Sequence, residues 1–307
     1  MNGLIRTVLG DIAPSELGRT DYHEHLFQIS PLLPGEELDD EDRGRDEVAL
    51  LAASGFDALV DATPLGLGRR PAAIARISAM TGVSVIMTTG AHRREHYGDD
   101  HWLVSATTDQ LATWFTRDLL DAAGEQEPEA PRRAGMLKCG IGYWTIDAFS
   151  RRVIAAVGAA HRASGAPVMV HLEHGSATHE VLDVLQDEGV TADRIVLAHI
   201  DRNLDPGLHT DLAARGAYLG YDGVARHREH PDSELIDCLI RVAQAGASTR
   251  LLLGGDVARR TRYAGYGGMP GLAYLGDRFI PRLRDASRDS LVEQVLRENP
   301  ARLLTWS

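Results

Sequence analysis

Eight short runs rich in Val, Ile and Leu recur along this chain, and each is separated from the next by a stretch long enough for a helix. The runs cover Gly18 to His25, Ala58 to Thr63, Val83 to Thr89, Met136 to Ile141, Pro167 to Leu172, Arg194 to Ile200, Ala217 to Asp222 and Arg250 to Asp256. Amphipathic helical patterns fall between them, over Ala72 to Met80, Thr108 to Ala122, Ser150 to Ala163, Thr178 to Gln186, Gly207 to Arg215 and Glu234 to Ala245. Several end at a glycine, which can take the left-handed conformation that closes a helix. Strand followed by helix, repeated eight times, predicts an α/β fold with parallel strands. A single closed (β/α)8 TIM barrel is the arrangement expected. A doubly wound sheet is the other arrangement that such a pattern allows. No repeat, low-complexity segment or Pro/Ser-rich linker divides the chain, so residues 1–307 read as one domain.

The formal charge of -12 argues against nucleic acid or an anionic membrane as the partner. No apolar run approaches the roughly 18 residues of a membrane span. Met1 to Gly10 lacks a basic segment followed by an apolar core. The expectation is a cytoplasmic protein acting on a small molecule, with a homodimer as a possible assembly. Cys139 and Cys238 lie in apolar stretches and read as buried free thiols. Pro34 to Glu47, dominated by Asp, Glu and Arg, reads as a solvated loop and helix start. The glycine-rich run Ala264 to Gly271 reads either as a plain turn or as backbone that approaches a ligand.

The ends of the apolar runs carry the chemistry. His23 and His25 close the first strand, and because side chains alternate along a strand the two imidazoles point to one side. His171 ends the fifth strand, His199 the sixth and Asp256 the eighth. Taken singly, each could be a hydrogen-bonded core histidine or a capping aspartate. Together they put imidazole and carboxylate at the C-terminal face, where barrels of this kind assemble active sites, and these groups are ligands for divalent metals.

Of the 32 basic residues, 31 are arginine and one is lysine, Lys138, at the end of the fourth strand. An ammonium there either snorkels or pairs with an aspartate, or it lies among metal-binding groups that disfavour its charge. A neutral amine beside metals can take up carbon dioxide as a carbamate, an anion with two oxygens that can bridge two cations. A guanidinium stays charged and cannot do this.

The order His-x-His, Lys, His, His, Asp on strands 1, 4, 5, 6 and 8 resembles the phosphotriesterase family of the amidohydrolase superfamily. The likeness extends through Thr7 to Gly10, Leu17 to Thr20, Val60 to Thr63, Thr89 and Gly90, Ala134 and Gly135, Pro231 to Ser233, and Asn299 to Arg302. The resemblance implies two divalent transition-metal ions, with Zn expected first and Mn, Co or Ni as alternatives. It implies that His23, His25 and Asp256 hold one ion and His171 and His199 the other. N6-carboxylated Lys138 and a hydroxide would bridge them. In the implied hydrolysis that hydroxide attacks and Asp256 takes its proton, so Asp256 and Lys138 are the expected catalytic residues. No Gly-x-Ser-x-Gly elbow for a serine nucleophile occurs.

Arg226 and Arg228 follow the seventh strand, and Arg259, Arg260 and Arg262 follow Asp256, which reads either as a site for an anionic substrate or as solvated, salt-bridged loop arginines. Arg226, Arg228, Arg259 and Arg262 are the candidate contacts, with Arg226 and Arg259 first, together with Tyr97. Many relatives place an aromatic residue within two positions of the Thr-Gly pair, whereas this chain has Ala91 and His92, with Tyr97 further on. Gly254 and Gly255 stand where Ser-His is frequent. Asp61, His174 and Trp144, beside these groups, are expected to pack or cap. The reading is a metal-dependent lactonase or carboxylesterase, including action on a phosphorylated sugar lactone. Phosphotriester hydrolysis, N-acyl amide hydrolysis and a non-catalytic small-molecule binder are the alternatives.

Overall fold

The computed structural model describes residues 3–121 and 132–306. Two short strands, β1 (Ile5–Thr7) and β2 (Gly10–Ile12), form an antiparallel hairpin that the apolar pattern does not announce. The eight expected strands follow as β3 (Thr20–Glu24), β4 (Ala58–Asp61), β5 (Ser84–Gly90), β6 (Met136–Ile141), β7 (Val168–Leu172), β8 (Ile195–Ala198), β9 (Tyr218–Tyr221) and β10 (Leu251–Leu253). They pair in chain order, all parallel. The Asp256 amide donates to the His23 carbonyl at 2.9 Å, joining the segment after β10 to β3. The doubly wound alternative is therefore not what forms.

The helices between the strands are α1 (Glu41–Ala53), α2 (Pro71–Thr81), α3 (Trp102–Ser105), α4 (Thr108–Leu120), α5 (Ala148–Ser164), α6 (Thr178–Asp187), α7 (Pro206–Ala214) and α8 (Asp232–Val242). Asp40, Thr107, Asp147 and Asp205 cap the starts of α1, α4, α5 and α7 through their side-chain oxygens. Ala122, expected as the last residue of the fourth of these helices, lies outside the described residues.

Strand alternation sorts the apolar residues into two cores. Met136, Met169, Val196 and Leu252 fill the barrel interior with Ile5 and Leu17, while Leu137, Val170, Leu197 and Leu253 pack outward against the helices. The same alternation brings Lys138 to the interior two residues after Met136, and His171 two after Met169. At the opposite end of the barrel the hairpin docks through the Val8 amide on the Val85 carbonyl at 2.8 Å. Buried Arg6 there pairs with Asp11 at 2.9 Å and lies over the Trp306 ring.

Two expectations change. The stretch Pro34 to Glu47 is not uniformly solvated: Glu47 is fully buried, and its carboxylate accepts the Gly265 amide at 2.7 Å and the Leu272 amide at 2.8 Å. The glycine-rich run therefore folds back on α1, where Tyr266 Oη also accepts the amides of Asp39 and Asp40. None of Ala264 to Gly271 lines the cavity at the strand ends. Both cysteines are buried and free, as expected. No described helix is long and apolar enough to cross a membrane.

Glu47→Ala strands two amides in the interior, so it is expected to cost roughly 2–4 kcal/mol in urea unfolding and to open Arg260–Leu272 to limited proteolysis. Glu47→Gln, which keeps one acceptor, should lose less.

Candidate active site

A cavity of about 310 Å³ opens at the C-terminal ends of the strands, and His23, His25, Lys138, His171, His199 and Asp256 all line it. Simple alternation is not what gathers them. Between Asp21 and Glu24 the β3 register gains one residue, so that Tyr22 belongs to the interior core and His23 and His25 still face the cavity. After Ala198, which already faces inward, the next side chain of an extended strand would face out. His199 instead adopts a left-handed backbone, φ 64°, that returns its ring to the cavity. Asp256 is left-handed too, φ 45°.

Each of these four imidazoles has one nitrogen committed to another side chain. Asp222 holds His23 Nδ1 at 3.0 Å and His199 Nδ1 at 2.6 Å, Thr63 holds His25 Nδ1 at 2.7 Å, and Glu173 holds His171 Nε2 at 3.3 Å. What remains is Nε2 of His23, His25 and His199 and Nδ1 of His171. His199 Nε2 and His171 Nδ1 face each other at 2.8 Å, and Asp256 Oδ1 lies 3.6 Å from His23 Nε2 and 3.7 Å from His25 Nε2. His23 Nε2 is buried with no hydrogen-bond partner among the described residues, a cost that a cation would remove. Ligand atoms of His23, His199 and Asp256 lie within 4.8 Å of one another. The residues present therefore fit a metal centre.

Electrostatics favours the ligand forms. Burial pushes His23 down to about 4, and His25 and His171 well below their usual range, so the rings are neutral. Burial alone would raise Asp222, but the His199 and His23 imidazoles hydrogen-bonded to it hold it well below the usual carboxylate range. Lys138 is buried, with Nζ donating to the Ala62 carbonyl at 2.8 Å, and desolvation brings its amine down to about 8.

The arginines divide. Arg226 donates to both the backbone oxygen of Asp256, at 2.8 Å, and its carboxylate, and Arg259 lines the cavity. Arg228 is exposed away from it, and Arg262 spends its guanidinium on the Val224 carbonyl at 3.3 Å. Tyr97 is also outside the lining. Its hydroxyl accepts the His92 amide at 2.8 Å and donates to the Leu65 carbonyl at 3.1 Å, so it shapes the loop that carries His92 rather than meeting a ligand. In its place the structure brings His92, His96, Arg93 and Arg202 to the cavity. Arg202 reaches Asp256 Oδ2 at 3.2 Å, and Arg93 pairs with Glu173 at 2.9 Å. Sequence reasoning missed Asp222, although it ends the seventh apolar run as the other ligand-type residues end theirs. Arg202, three residues beyond His199, offered no periodic signal.

Gly254 and Gly255 also gain a reason. A Cβ on Gly255 would stand 2.2 Å from Glu24 Oε1, while Oε2 of the same buried side chain accepts the Val257 amide at 2.8 Å. Asp61 accepts the amides of Leu26 and Thr63, a capping role as expected.

The sequence profile of the phosphotriesterase family matches residues 3–304. This chain belongs to that family. A phospho-furanose lactonase of Mycoplasmopsis synoviae is 28% identical over 99% of this chain and 92% of its own length. The crystal structure of a lactonase from Listeria monocytogenes superposes with a TM-score of 0.91 at 31% identity, covering 99% of each chain. The human N-acetyltaurine hydrolase is 26% identical over 100% of this chain and 99% of its own. The protein is accordingly an ester-hydrolysing enzyme on the barrel of the phosphotriesterase family, a family of binuclear metal enzymes.

Within this member of the phosphotriesterase family Asp222 orients two imidazoles at once. Asp222→Asn is expected to lower metal affinity by about 10- to 100-fold in chelator competition while leaving the far-ultraviolet circular dichroism unchanged.

Proposed function

We propose that the protein opens the lactone ring, or cleaves the ester, of a small anionic molecule, a phosphorylated sugar lactone first among them. The observation that carries this reading is the convergence in one cavity of four imidazoles, each with one nitrogen fixed by another side chain, with Asp256, Lys138, Arg93, Arg202, Arg226 and Arg259. Two divalent ions would be held by His23, His25 and Asp256 on one side and His171 and His199 on the other, with N6-carboxylated Lys138 between them. Nitrogen and oxygen donors of this kind suit zinc, and also manganese, cobalt or nickel. Such ions supply Lewis acidity at the scissile carbonyl and lower the pKa of water.

The chain's own residues do the rest. Asp256 turns Oδ1 toward the His23 and His25 rings and Oδ2 toward Arg202 and Arg226, so the carboxylate is fixed where it receives the proton of the attacking water and returns it to the departing alkoxide. The arginines give an anionic substituent a reason to bind, and a neutral phosphotriester gains little from them. The two lactonases among the relatives support the lactone, and the N-acetyltaurine hydrolase supports an anionic amide as the second reading.

Metal-loaded protein is expected to carry close to two ions per chain by elemental analysis and to prefer phosphorylated over unphosphorylated lactones, N-acyl amines and aryl phosphotriesters in a hydrolysis screen. Lys138→Ala should abolish the activity, with partial recovery on adding short-chain carboxylic acids; full activity in that variant removes the carbamate from the scheme. The pH dependence has a definite sign. Carbon dioxide adds to the neutral amine, and the folded pKa of about 8 lies below the ordinary 10.5 of lysine. Carbamate at Lys138 should therefore grow as pH rises through about 8, read as a carbon-13 carbamate resonance with labelled bicarbonate, and be absent from Lys138→Ala.

A further inference from the structure

Beside the cavity of the imidazoles lies a larger one, of about 1000 Å³, and Arg93, Glu173 and Arg202 form the wall common to both. Tyr143 and Trp144 line it and are 61% and 63% exposed. Adjacent aromatic side chains left in water at the mouth of a site call for an occupant. Here the backbone itself turns the indole outward. Trp144 has φ 49°, held by its amide on Ser176 Oγ at 3.0 Å and by Gly142 and Thr145 pairing across it. Such strain persists only where the surroundings impose it, and it clusters at functional sites. Among the described residues, the six non-glycine residues with positive φ are Trp144, His174, Ala177, His199, Ala225 and Asp256. His199 and Asp256 stand in the imidazole cavity and Ala225 precedes Arg226. Trp144 and His174 line the outer cavity. The same mark is on both.

We propose that the outer cavity is a second substrate subsite, which stacks a hydroxyl-bearing ring, a sugar, on Trp144 while the ester or lactone carbonyl lies in the inner cavity. This rests on the hydrolytic reading above and extends it to a substrate of two rings. The polar edge selects a sugar over an aryl ring. Glu95, Asn203 and Tyr143 line the cavity, and no hydrogen bond to another described residue engages their carboxylate, amide and hydroxyl groups. An aryl ring would strip them of water and return nothing, whereas sugar hydroxyls pair with all three. The shared wall links the subsites, because Glu173 holds both Arg93 and the His171 ring.

The test uses the full-length, metal-loaded protein. Saturation-transfer NMR with methyl β-glucopyranoside, which cannot be hydrolysed as an ester, should show binding in the wild type and in Trp144→Phe but not in Trp144→Ala, all three with the same melting temperature. With hydrolysis as the readout, lactobionolactone should lose about tenfold in kcat/KM through KM in Trp144→Ala, while gluconolactone is unchanged and Trp144→Phe retains most of the effect. No glycoside binding by the wild type, or equal binding by Trp144→Ala, overturns the proposal. Glycoside binding by a protein that hydrolyses no lactone, phosphorylated or unphosphorylated, would sink the hydrolytic reading alone.

Discussion

The hydrogen bond from the Asp256 amide to the His23 carbonyl joins residues more than 230 positions apart, and the rest of the structure leans on it. It closes the barrel at the end where chemistry is done. An open sheet would leave the first histidine pair and the final aspartate at opposite edges. Closure sets them side by side, which is why Asp256 Oδ1 lies within 4 Å of two imidazoles contributed by β3 and the residue that follows it. The seam therefore serves both the fold and the site, and the left-handed backbone of Asp256 is tolerated because so much converges on it.

Beneath the cavity one carboxylate gathers the donors of three side chains and a backbone amide. Asp222 takes Tyr22 Oη, His23 Nδ1, and both the amide and Nδ1 of His199. A fully buried carboxylate with that many donors is well satisfied, and it fixes the tautomer of two rings at once. The nitrogens left over point one way, into the cavity. The orphaned His23 Nε2 is an imidazole nitrogen there that the cation proposed above would satisfy.

Much of this was readable along the chain. Apolar runs that stop at or beside His or Asp located β3, β7, β8 and the segment after β10, and the barrel followed from their alternation with helices; Lys138, expected at the end of its strand, lies in the middle of β6, where alternation alone turns it inward. What escaped was decided by contacts between distant segments. Asp222 ends its run as visibly as His171 does, yet nothing local says that its carboxylate reaches two other strands. Arg202 and Arg93 lie in loops, where no periodicity assigns a direction. Tyr97 was expected to meet a ligand, but its hydroxyl is consumed by two backbone groups that only the folded loop brings near. Glu47 sits in a stretch of charges and is nevertheless buried, because two amides of a loop some 220 residues away need its oxygens.

Glu24 and Gly255 compete for one volume. A side chain at 255 would meet the tip of Glu24, which has to swing aside to admit it, and the Val257 amide keeps its acceptor only if Oε2 stays where it is. The residue between the first two histidines is thereby tied to the backbone on both sides of Asp256. A substitution at 255 is felt first at Val257, and through it by the final aspartate, before any new group reaches the cavity.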